Sequence, residues 1–346
     1  MSIVLYHYKR SPYSTRIIWY LALRQIPYSQ CLQPTILPRP DLKEKLGISY
    51  RRIPILAIGW DVYLDTRLII KKLEEHYPSS NSYPPLSGTP DEHRGIEALL
   101  SLAVAGGDIF RSCAMLMPPQ ILEAQGQQFL RDRADLAGVK QSDIDKGFLP
   151  LSPEVLKAMR PQALIEVRQY VHMLETTFLG AGGNWLLKTT RPSLADLEAI
   201  WPIHWISTIP GALPPDFISK EQFPLVFGWL ERFQQTIESQ TQTVRTPPAL
   251  NGDEAADMIV KAGFGEHELR VDPADPVVAA EGLKAGMDVE MWPTDWGSLH
   301  KDRGKLMGID DTQFVIETRG TSGSVRVHAP RHGFKIAKAG DDGVKL

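Results

Sequence analysis

The residue with the clearest chemical potential is Ser11, which stands between a short apolar run at residues 3–5 and a longer one at residues 17–23. The first run predicts a strand and the second a buried helix. Serine is a preferred N-cap, and proline, here Pro12, is favoured at the first helical position. A helix that begins at Ser11 presents unpaired N–H groups and the positive end of its dipole, which together bind anions. The sequence therefore predicts an anion site beside a serine hydroxyl.

Two later segments also place polar groups at the ends of predicted elements. Residues 52–58 predict a strand with Pro54 at its entry, and residues 62–64 predict its partner strand. Asp65 and Thr66 then predict the cap of a helix that ends near residue 76. Each residue also has a purely structural interpretation, as a simple N-cap or as an ordinary proline of an edge strand.

The whole chain limits the function classes. Its 346 residues predict two or three domains, and its 43% hydrophobic content excludes global disorder. A net charge of −3 argues against nucleic acid as a partner. Two cysteines, Cys31 and Cys113, are too few for a disulfide framework, and no Cys/His spacing indicates a metal. Without a targeting signal or an apolar run of membrane length, we expect a cytoplasmic protein with no membrane partner.

The chain contains three consecutive regions with different patterns of predicted secondary structure. Residues 1–80 alternate strands and helices, and a segment at 79–90 that is rich in Ser, Pro and Gly predicts a linker. Residues 90–245 predict helices throughout. Short, regularly spaced β-like runs between residues 276 and 340 predict a small barrel or sheet, and thus a third domain over 250–346.

Three motifs, in order, resemble the glutathione transferase superfamily. They are RSPYSTR at 10–16, RIPIL at 52–56 and SLAD at 193–196. The first resembles the active-site segment of the serine-type classes, especially zeta and tau, whereas omega members carry cysteine in place of Ser11. The second resembles the strand that carries the cis-proline, and the third resembles the capping motif of the helical half. The pair Asp65-Thr66 departs from the family, which usually has Glu or Gln followed by Ser.

This resemblance, over about residues 1–240, implies a fold class of α/β plus all-α. A thioredoxin-like N-terminal domain is followed by a helical domain of the transferase type, and the small β domain is appended to them. The resemblance also implies glutathione as the cofactor, with Ser11 stabilising its thiolate. The implied glutathione-binding residues are Ile53, Pro54, Asp65, Thr66, Arg39 and Arg52. The implied pocket for the second substrate contains Tyr8, Tyr13, Asp108, Arg111 and Met115.

Several alternatives remain open at this level. The thiolate could attack a small hydrophobic electrophile, or add reversibly to a conjugated double bond as in zeta-class isomerases. A third hypothesis is a non-catalytic binding or scaffold protein that keeps the fold. Tyr6, Tyr8 and Tyr13 are rivals of Ser11 for the thiolate, and Ser14, inside the first turn of the helix, is a weaker rival. The family resemblance implies a homodimer. The C-terminal residues His328, Arg331 and His332 are expected at the surface rather than at a metal site.

Overall fold

The N-terminal region alternates strands and helices around a four-stranded sheet. The computed structural model describes residues 2–88, 90–243, 246–263 and 269–340. The elements of this region are β1 (Ile3–His7), α1 (Pro12–Leu23), β2 (Ser29–Leu32), α2 (Pro40–Leu46), β3 (Ile55–Ile58), β4 (Asp61–Tyr63) and α3 (Thr66–His76). β1 pairs in parallel with β2 and antiparallel with β3, which in turn pairs antiparallel with β4. The predicted thioredoxin-like domain is confirmed.

Both faces of this sheet are covered, so every residue of β1 is buried. Alternate side chains of a strand point to opposite faces. Leu5 and Leu56 accordingly join a core that continues into the helical region. Val4 and Ala57 join a second core that continues into the C-terminal region. The N-terminal sheet therefore lies between two hydrophobic cores, which fix its position relative to the rest of the chain.

The middle region is helical, as predicted. Its helices are α4 (Asp91–Leu100), α5 (Asp108–Met115), α6 (Pro119–Glu123), α7 (Gln127–Leu136), α8 (Gln141–Ile144), α9 (Pro153–Met173), α10 (Leu194–Ser207) and α11 (Pro224–Thr243). The helical stretch from Asp91 to Met115 is interrupted by a π-helical turn at Ser101–Ala105 and by two glycines. A Cβ on Gly107 would lie 2.4 Å from the Ala103 carbonyl oxygen, so the break requires glycine.

Two helix starts illustrate how local capping sets the boundaries. α9 begins at Pro153 with Ser152 as its N-cap and carries Pro161 inside the helix. α10 begins as predicted, with Ser193 and Asp196 forming a capping box. The Asp196 carboxylate also accepts hydrogen bonds from the Leu186 N–H at 2.9 Å and the Trp229 indole at 2.8 Å. This buried carboxylate therefore links three segments of the helical region.

The C-terminal region is rich in strands, as predicted, but its strands are not separate from the first sheet. Its elements are β5 (Ala249–Leu250), α12 (Gly252–Val260), α13 (Pro276–Glu281), β6 (Asp288–Pro293), β7 (Asp302–Ile309), β8 (Gln313–Gly320), β9 (Gly323–Pro330) and β10 (Phe334–Lys338). β9 pairs in parallel with β4, and β5 pairs in parallel with β2. The described strands thus form one ten-stranded sheet in the order β10-β6-β7-β8-β9-β4-β3-β1-β2-β5.

This continuity protects both edges of the N-terminal sheet, which would otherwise expose unpaired backbone groups. It also means that the third region shares a sheet and a hydrophobic core with the first. The division of the chain at 80, 90, 245 and 250 stays a prediction, and residues 264–268 and 341–346 of the predicted third domain lie outside the described residues.

His328 lies where the two parts of the sheet join, and it is completely buried. Its Nε2 atom lies 3.0 Å from Asp61 Oδ1 of β4, and its Nδ1 atom lies 3.1 Å from Gln313 Oε1 of β8. The expectation of a surface position for His328 is therefore wrong. The cause is the pairing of β9 with β4, which encloses the His328 side chain. The sequence alone does not indicate this pairing.

Asp302 joins the C-terminal region to the N-terminal domain and carries a testable pH dependence. Its carboxylate accepts hydrogen bonds from the Ser49 and Tyr50 N–H groups, and burial raises its pKa to about 6 despite them. Because the folded pKa lies above the ordinary value, its contribution to stability is present below about pH 4 and is lost as pH rises through 6.

We therefore expect Asp302→Asn, which keeps the accepting oxygen, to be more stable than the wild type by on the order of 2 kcal/mol at neutral pH. The difference should shrink as pH falls from about 6 to about 4, as measured by urea unfolding at several pH values. Asp257→Asn, at an exposed carboxylate paired with Lys261, is the matched control and should show no such trend. A difference between Asp302→Asn and the wild type that is constant with pH would contradict the assignment.

No single helix among residues 2–88, 90–243, 246–263 and 269–340 has the length and apolar character of a membrane span. One bent pair, Asp91–Ala105 with Asp108–Met115, reaches that threshold across a bend of 41°, by length and composition only.

Candidate functional site

Ser11 lies at the N-terminus of α1, as its sequence context predicts. Its Oγ accepts a hydrogen bond from the Ser14 N–H at 3.3 Å, and its carbonyl oxygen accepts one from the Thr15 N–H at 2.9 Å. Pro12 takes the first helical position, and the first turn holds no acidic residue. The positive end of the helix dipole is therefore not neutralised from within its own first turn, and an anion placed beside Ser11 would be stabilised.

The turn that leads into this helix is tight. Arg10 adopts a positive φ of 67°, and the Ser11 N–H points back to the Tyr8 carbonyl oxygen at 3.4 Å. As a result Ser11 is only 2% exposed. The hydroxyl is well positioned by the backbone, but it is almost closed to solvent in this conformation.

The peptide bond between Ile53 and Pro54 is cis, as the resemblance implies. This bond lies immediately before β3, and both Ile53 and Pro54 are buried. Ile53 belongs to the core that the N-terminal sheet shares with the C-terminal region. The structure thus brings the proline turn and the start of α1 to the same end of neighbouring strands, because β1 and β3 pair directly.

Asp65 and Thr66 begin α3, but both side chains are already engaged. Asp65 is the N-cap, and its carboxylate accepts hydrogen bonds from the Arg67 N–H at 3.0 Å, Nε at 2.9 Å and Nη2 at 2.8 Å. Burial raises the pKa of Asp65, but the Arg67 hydrogen bonds and charge outweigh it and hold the pKa at about 2. Asp65 is therefore a carboxylate whose charge is neutralised within the chain.

Thr66 is held by a buried arginine. Its hydroxyl oxygen accepts a hydrogen bond from Arg16 of α1, whose guanidinium also forms an ion pair with Glu198 of α10. Ser101, in the π-helical turn after α4, accepts a further bond from Arg16 at 3.1 Å. This network ties the first helix of the N-terminal domain to the helical region. The sequence did not reveal it, since its members are far apart along the chain.

The two arginines predicted to bind glutathione, Arg39 and Arg52, lie in different environments. The Arg39 guanidinium donates hydrogen bonds to the carbonyl oxygens of Pro34, at 3.0 Å, and Thr35, at 3.2 Å, and is buried. Burial lowers its pKa to about 10. Arg39 thus holds the proline-rich segment before α2. Arg52 instead reaches the C-terminal region, where it forms an ion pair with Asp295.

The two tyrosines predicted as pocket residues, Tyr8 and Tyr13, also lie in different surroundings. Tyr13 packs against Phe110 and Trp201, each with a ring-centroid distance of 4.7 Å, and its hydroxyl donates to the Ala105 carbonyl oxygen at 3.4 Å. Burial raises the pKa of Tyr13 well above its ordinary value. Tyr13 therefore belongs to an aromatic cluster between the N-terminal and helical regions, whereas Tyr8 packs against the core shared with the C-terminal region, with the Arg39 guanidinium 5.9 Å from its ring centroid.

The three predicted pocket residues on α5 do not converge. Asp108 and Arg111 are exposed, with 3.8 Å between their closest charged atoms, so they form a solvated i,i+3 pair. Met115 is buried in the core of the helical region. The structure therefore places Asp108 and Arg111 on the solvent face of the helix and Met115 inside it, and it does not form a pocket from them.

The C-terminal region supplies contacts that sequence reasoning missed. Phe334 stacks on Tyr50 at 5.8 Å and lies 5.7 Å from the Arg52 guanidinium. The His332 carbonyl oxygen accepts from Arg67 Nη2 at 3.5 Å. Two cavities of about 330 and 350 Å³ lie elsewhere, against α11 and beside α13. No cluster of three or more metal-ligating side chains is found among the described residues.

The comparisons with known proteins concern the fold of the chain. Residues 5–81 match the family of glutathione S-transferase N-terminal domains. Residues 112–242 match a domain family of unknown function, DUF7962. None of the curated proteins matches the chain in sequence.

One solved structure shows the fold, and two others are similar over part of the chain. A GST-like protein from Pseudomonas syringae has 22% identity and a TM-score of 0.62, with 97% of this chain and 99% of that chain covered. A β-etherase from Sphingobium has 18% identity and a TM-score of 0.48, with 70% and 100% covered. A bacterial zeta-class maleyl pyruvate isomerase has 18% identity and a TM-score of 0.46, with 71% and 100% covered.

The chain thus has a glutathione S-transferase-like fold. Residues 5–81 match the family of glutathione S-transferase N-terminal domains, and a helical region and a β-rich C-terminal region follow them.

Proposed function

We propose that this protein is a glutathione-dependent transferase in which Ser11 stabilises the glutathione thiolate. The observation that carries the proposal is the position of Ser11, which caps a twelve-residue helix inside a glutathione S-transferase N-terminal domain. The thiolate attacks a small hydrophobic electrophile, so an S–C bond forms and the leaving group departs with its electron pair.

The chemistry needs a lower thiol pKa. A free thiol titrates near 8.5, so only a few per cent is thiolate at neutral pH. The N-terminus of α1 favours a negative charge, and the Ser11 hydroxyl would donate a charge-assisted hydrogen bond to sulfur. A decrease of about one unit in the thiol pKa corresponds to about 1.4 kcal/mol, which two such interactions supply together.

The rest of the tripeptide would use the neighbouring groups. The backbone of Ile53, held by the turn at Pro54, would pair with the cysteinyl part as an added strand. The Thr66 N–H at the start of α3 would bind the γ-glutamyl carboxylate, with Asp65 beside its amino group. Arg52 supplies a cation for a ligand carboxylate. The homodimer implied by the family resemblance remains part of this proposal.

A second candidate is a binding or scaffold protein with the same fold. It is favoured by one specific observation, namely that the predicted clamp is satisfied from within: Asp65 by Arg67, Thr66 by Arg16 and Arg52 by Asp295. The two candidates differ in whether glutathione can replace these contacts.

Glutathione binding and turnover separate the candidates. We expect calorimetric titration to show binding at millimolar glutathione or below, and expect conjugation of a chloronitrobenzene probe to depend on it. Binding without conjugation, but with conversion of a conjugated cis-alkene into its trans isomer, would point to isomerase chemistry. No heat and no thermal shift at millimolar glutathione would contradict the proposal and favour the scaffold.

A further inference from the structure

Arg52 already holds a carboxylate, and this carboxylate comes from the C-terminal region. Arg52 Nη2 lies 2.8 Å from Asp295 Oδ1, and Nη1 lies 3.3 Å from Oδ2, so the pair is bidentate. The guanidinium lies 5.4 Å from the Tyr50 ring centroid and 5.7 Å from that of Phe334. Rings on its flanks and a carboxylate at its tip fix the orientation of this cation.

Arg67, the partner of Asp65, is also approached by the C-terminal region. Arg67 Nη2 donates to the His332 carbonyl oxygen, and a Cβ on Gly333 would lie 3.4 Å from the same nitrogen. Arg67 is neutralised by Asp65, however, whereas the partner of Arg52 is more accessible. The Asp295 side chain is 55% exposed, and that of Arg52 is 22% exposed. An incoming carboxylate can therefore compete for Arg52 more readily than for Arg67.

The segment 294–300 that carries Asp295 is anchored on its far side. The Gly297 N–H donates to the Leu136 carbonyl oxygen at the end of α7, at 2.6 Å. His300 Nε2 lies 2.8 Å from Asp135 Oδ2 on the same helix. A Cβ on Gly297 would lie 3.2 Å from Arg51 Cγ. The segment is thus held against α7 of the helical region and beside Arg51 by contacts that do not use the Arg52 guanidinium, so loss of the Arg52 pair need not release it.

We propose that Asp295 is a specificity residue, an internal carboxylate on Arg52 that a ligand carboxylate must displace. This role rests on the proposed glutathione site, and the feature of the thiol that Asp295 selects against is a carboxylate. Asp295 neutralises Arg52 and also repels an incoming anion, so both effects weaken thiols that carry a carboxylate at this end. For a thiol whose carboxylates are masked, Arg52 does not raise the binding affinity and Asp295 does not lower it.

The test compares glutathione with its diethyl ester, in which both carboxylates are masked. Asp295→Asn should bind glutathione roughly five- to tenfold more tightly than the wild type, because an exposed ion pair and one repulsion are removed. Binding of the diester should not change. Asp288→Asn is the matched control, since Asp288 is an exposed carboxylate that pairs with Lys305 at 2.7 Å, away from Arg52. The double variant Arg52→Gln/Asp295→Asn should lose the gain, because the effect acts through Arg52.

The outcomes are distinct. Weaker glutathione binding by Asp295→Asn would mean that Asp295 contacts the ligand favourably, and equal binding would mean that it has no role. Either result overturns this inference while leaving the proposed function intact. Equal tightening for glutathione and diester would likewise overturn it, since carboxylates would not be the feature selected. Absence of binding by the wild type and every variant would overturn the proposed function, and the inference with it.

Discussion

Replacing Ser11 by alanine is expected to lower glutathione-dependent kcat/KM by about a hundredfold, the usual effect of removing one hydrogen-bond donor to a developing or bound anion. Ser11 is the hydroxyl placed by the N-cap geometry of α1, with its backbone fixed by the Thr15 N–H. The loss should be greatest near neutral pH and smaller at high pH, where glutathione ionises without help. A pH profile of kcat/KM measures both features.

The N-cap function of Ser11 must be separated from its proposed chemical function. Alanine at an N-cap costs about 1 kcal/mol of stability, whereas glycine costs only a few tenths. Ser11→Gly should therefore fold nearly as stably as the wild type and still lose turnover. Ser14→Ala removes a neighbouring buried hydroxyl that has no hydrogen-bond partner among the described residues. Full activity in Ser11→Gly, or a larger loss in Ser14→Ala or Tyr8→Phe, would move the thiolate activator to another residue.

Replacing Arg16 by methionine is expected to lower the free energy of unfolding by about 3–5 kcal/mol, because it leaves a buried carboxylate without its cation. Arg16 and Glu198 are 0% and 2% exposed, and they join α1 to α10. Burial raises the pKa of Glu198 and the Arg16 charge opposes that rise. The substitution also removes the donor to Thr66. Urea unfolding curves, fitted with the same m-value for both proteins, give the change in the free energy of unfolding.

The double variant Arg16→Met/Glu198→Leu tests the cause of this loss. Replacing both charges by apolar side chains should restore most of the stability, since no buried charge is then left unpaired. Arg111→Met, at an exposed pair on α5, is the matched control and should change stability by less than about 0.5 kcal/mol. A loss in the double variant as large as in Arg16→Met would mean that packing, not charge, explains the effect.

The parts of the fold that could be predicted are those set by local chemistry. Ser11 and Pro12 mark the start of α1 because capping depends on neighbouring residues, and Ser193 with Asp196 marks α10 for the same reason. The order of strands and helices in the N-terminal domain also follows from alternation and turn residues. Family resemblance then supplied the cis bond before Pro54, which periodicity alone does not indicate.

What could not be predicted depends on contacts between distant segments. The merging of the two sheets requires β9 to find β4, and no local pattern encodes which edge a strand joins. Arg16 meets Glu198 across 182 residues of sequence, and Arg52 meets Asp295 across 243. From the sequence, Asp65 was expected to be available to a ligand. The helical pattern does not indicate that the Arg67 guanidinium, two residues later, donates a hydrogen bond to the Asp65 carboxylate.

The central claim is that Ser11 stabilises a bound thiolate, and the pKa of the bound thiol tests it most directly. The ultraviolet absorbance of the thiolate can be titrated against pH in the glutathione complexes of the wild type and of Ser11→Gly. We expect the bound thiol in the wild type to titrate at least about one unit below its free value near 8.5. In Ser11→Gly the pKa should return most of the way to that value. A bound thiol that titrates as it does in free solution, or identically in the two proteins, would contradict the assignment of Ser11.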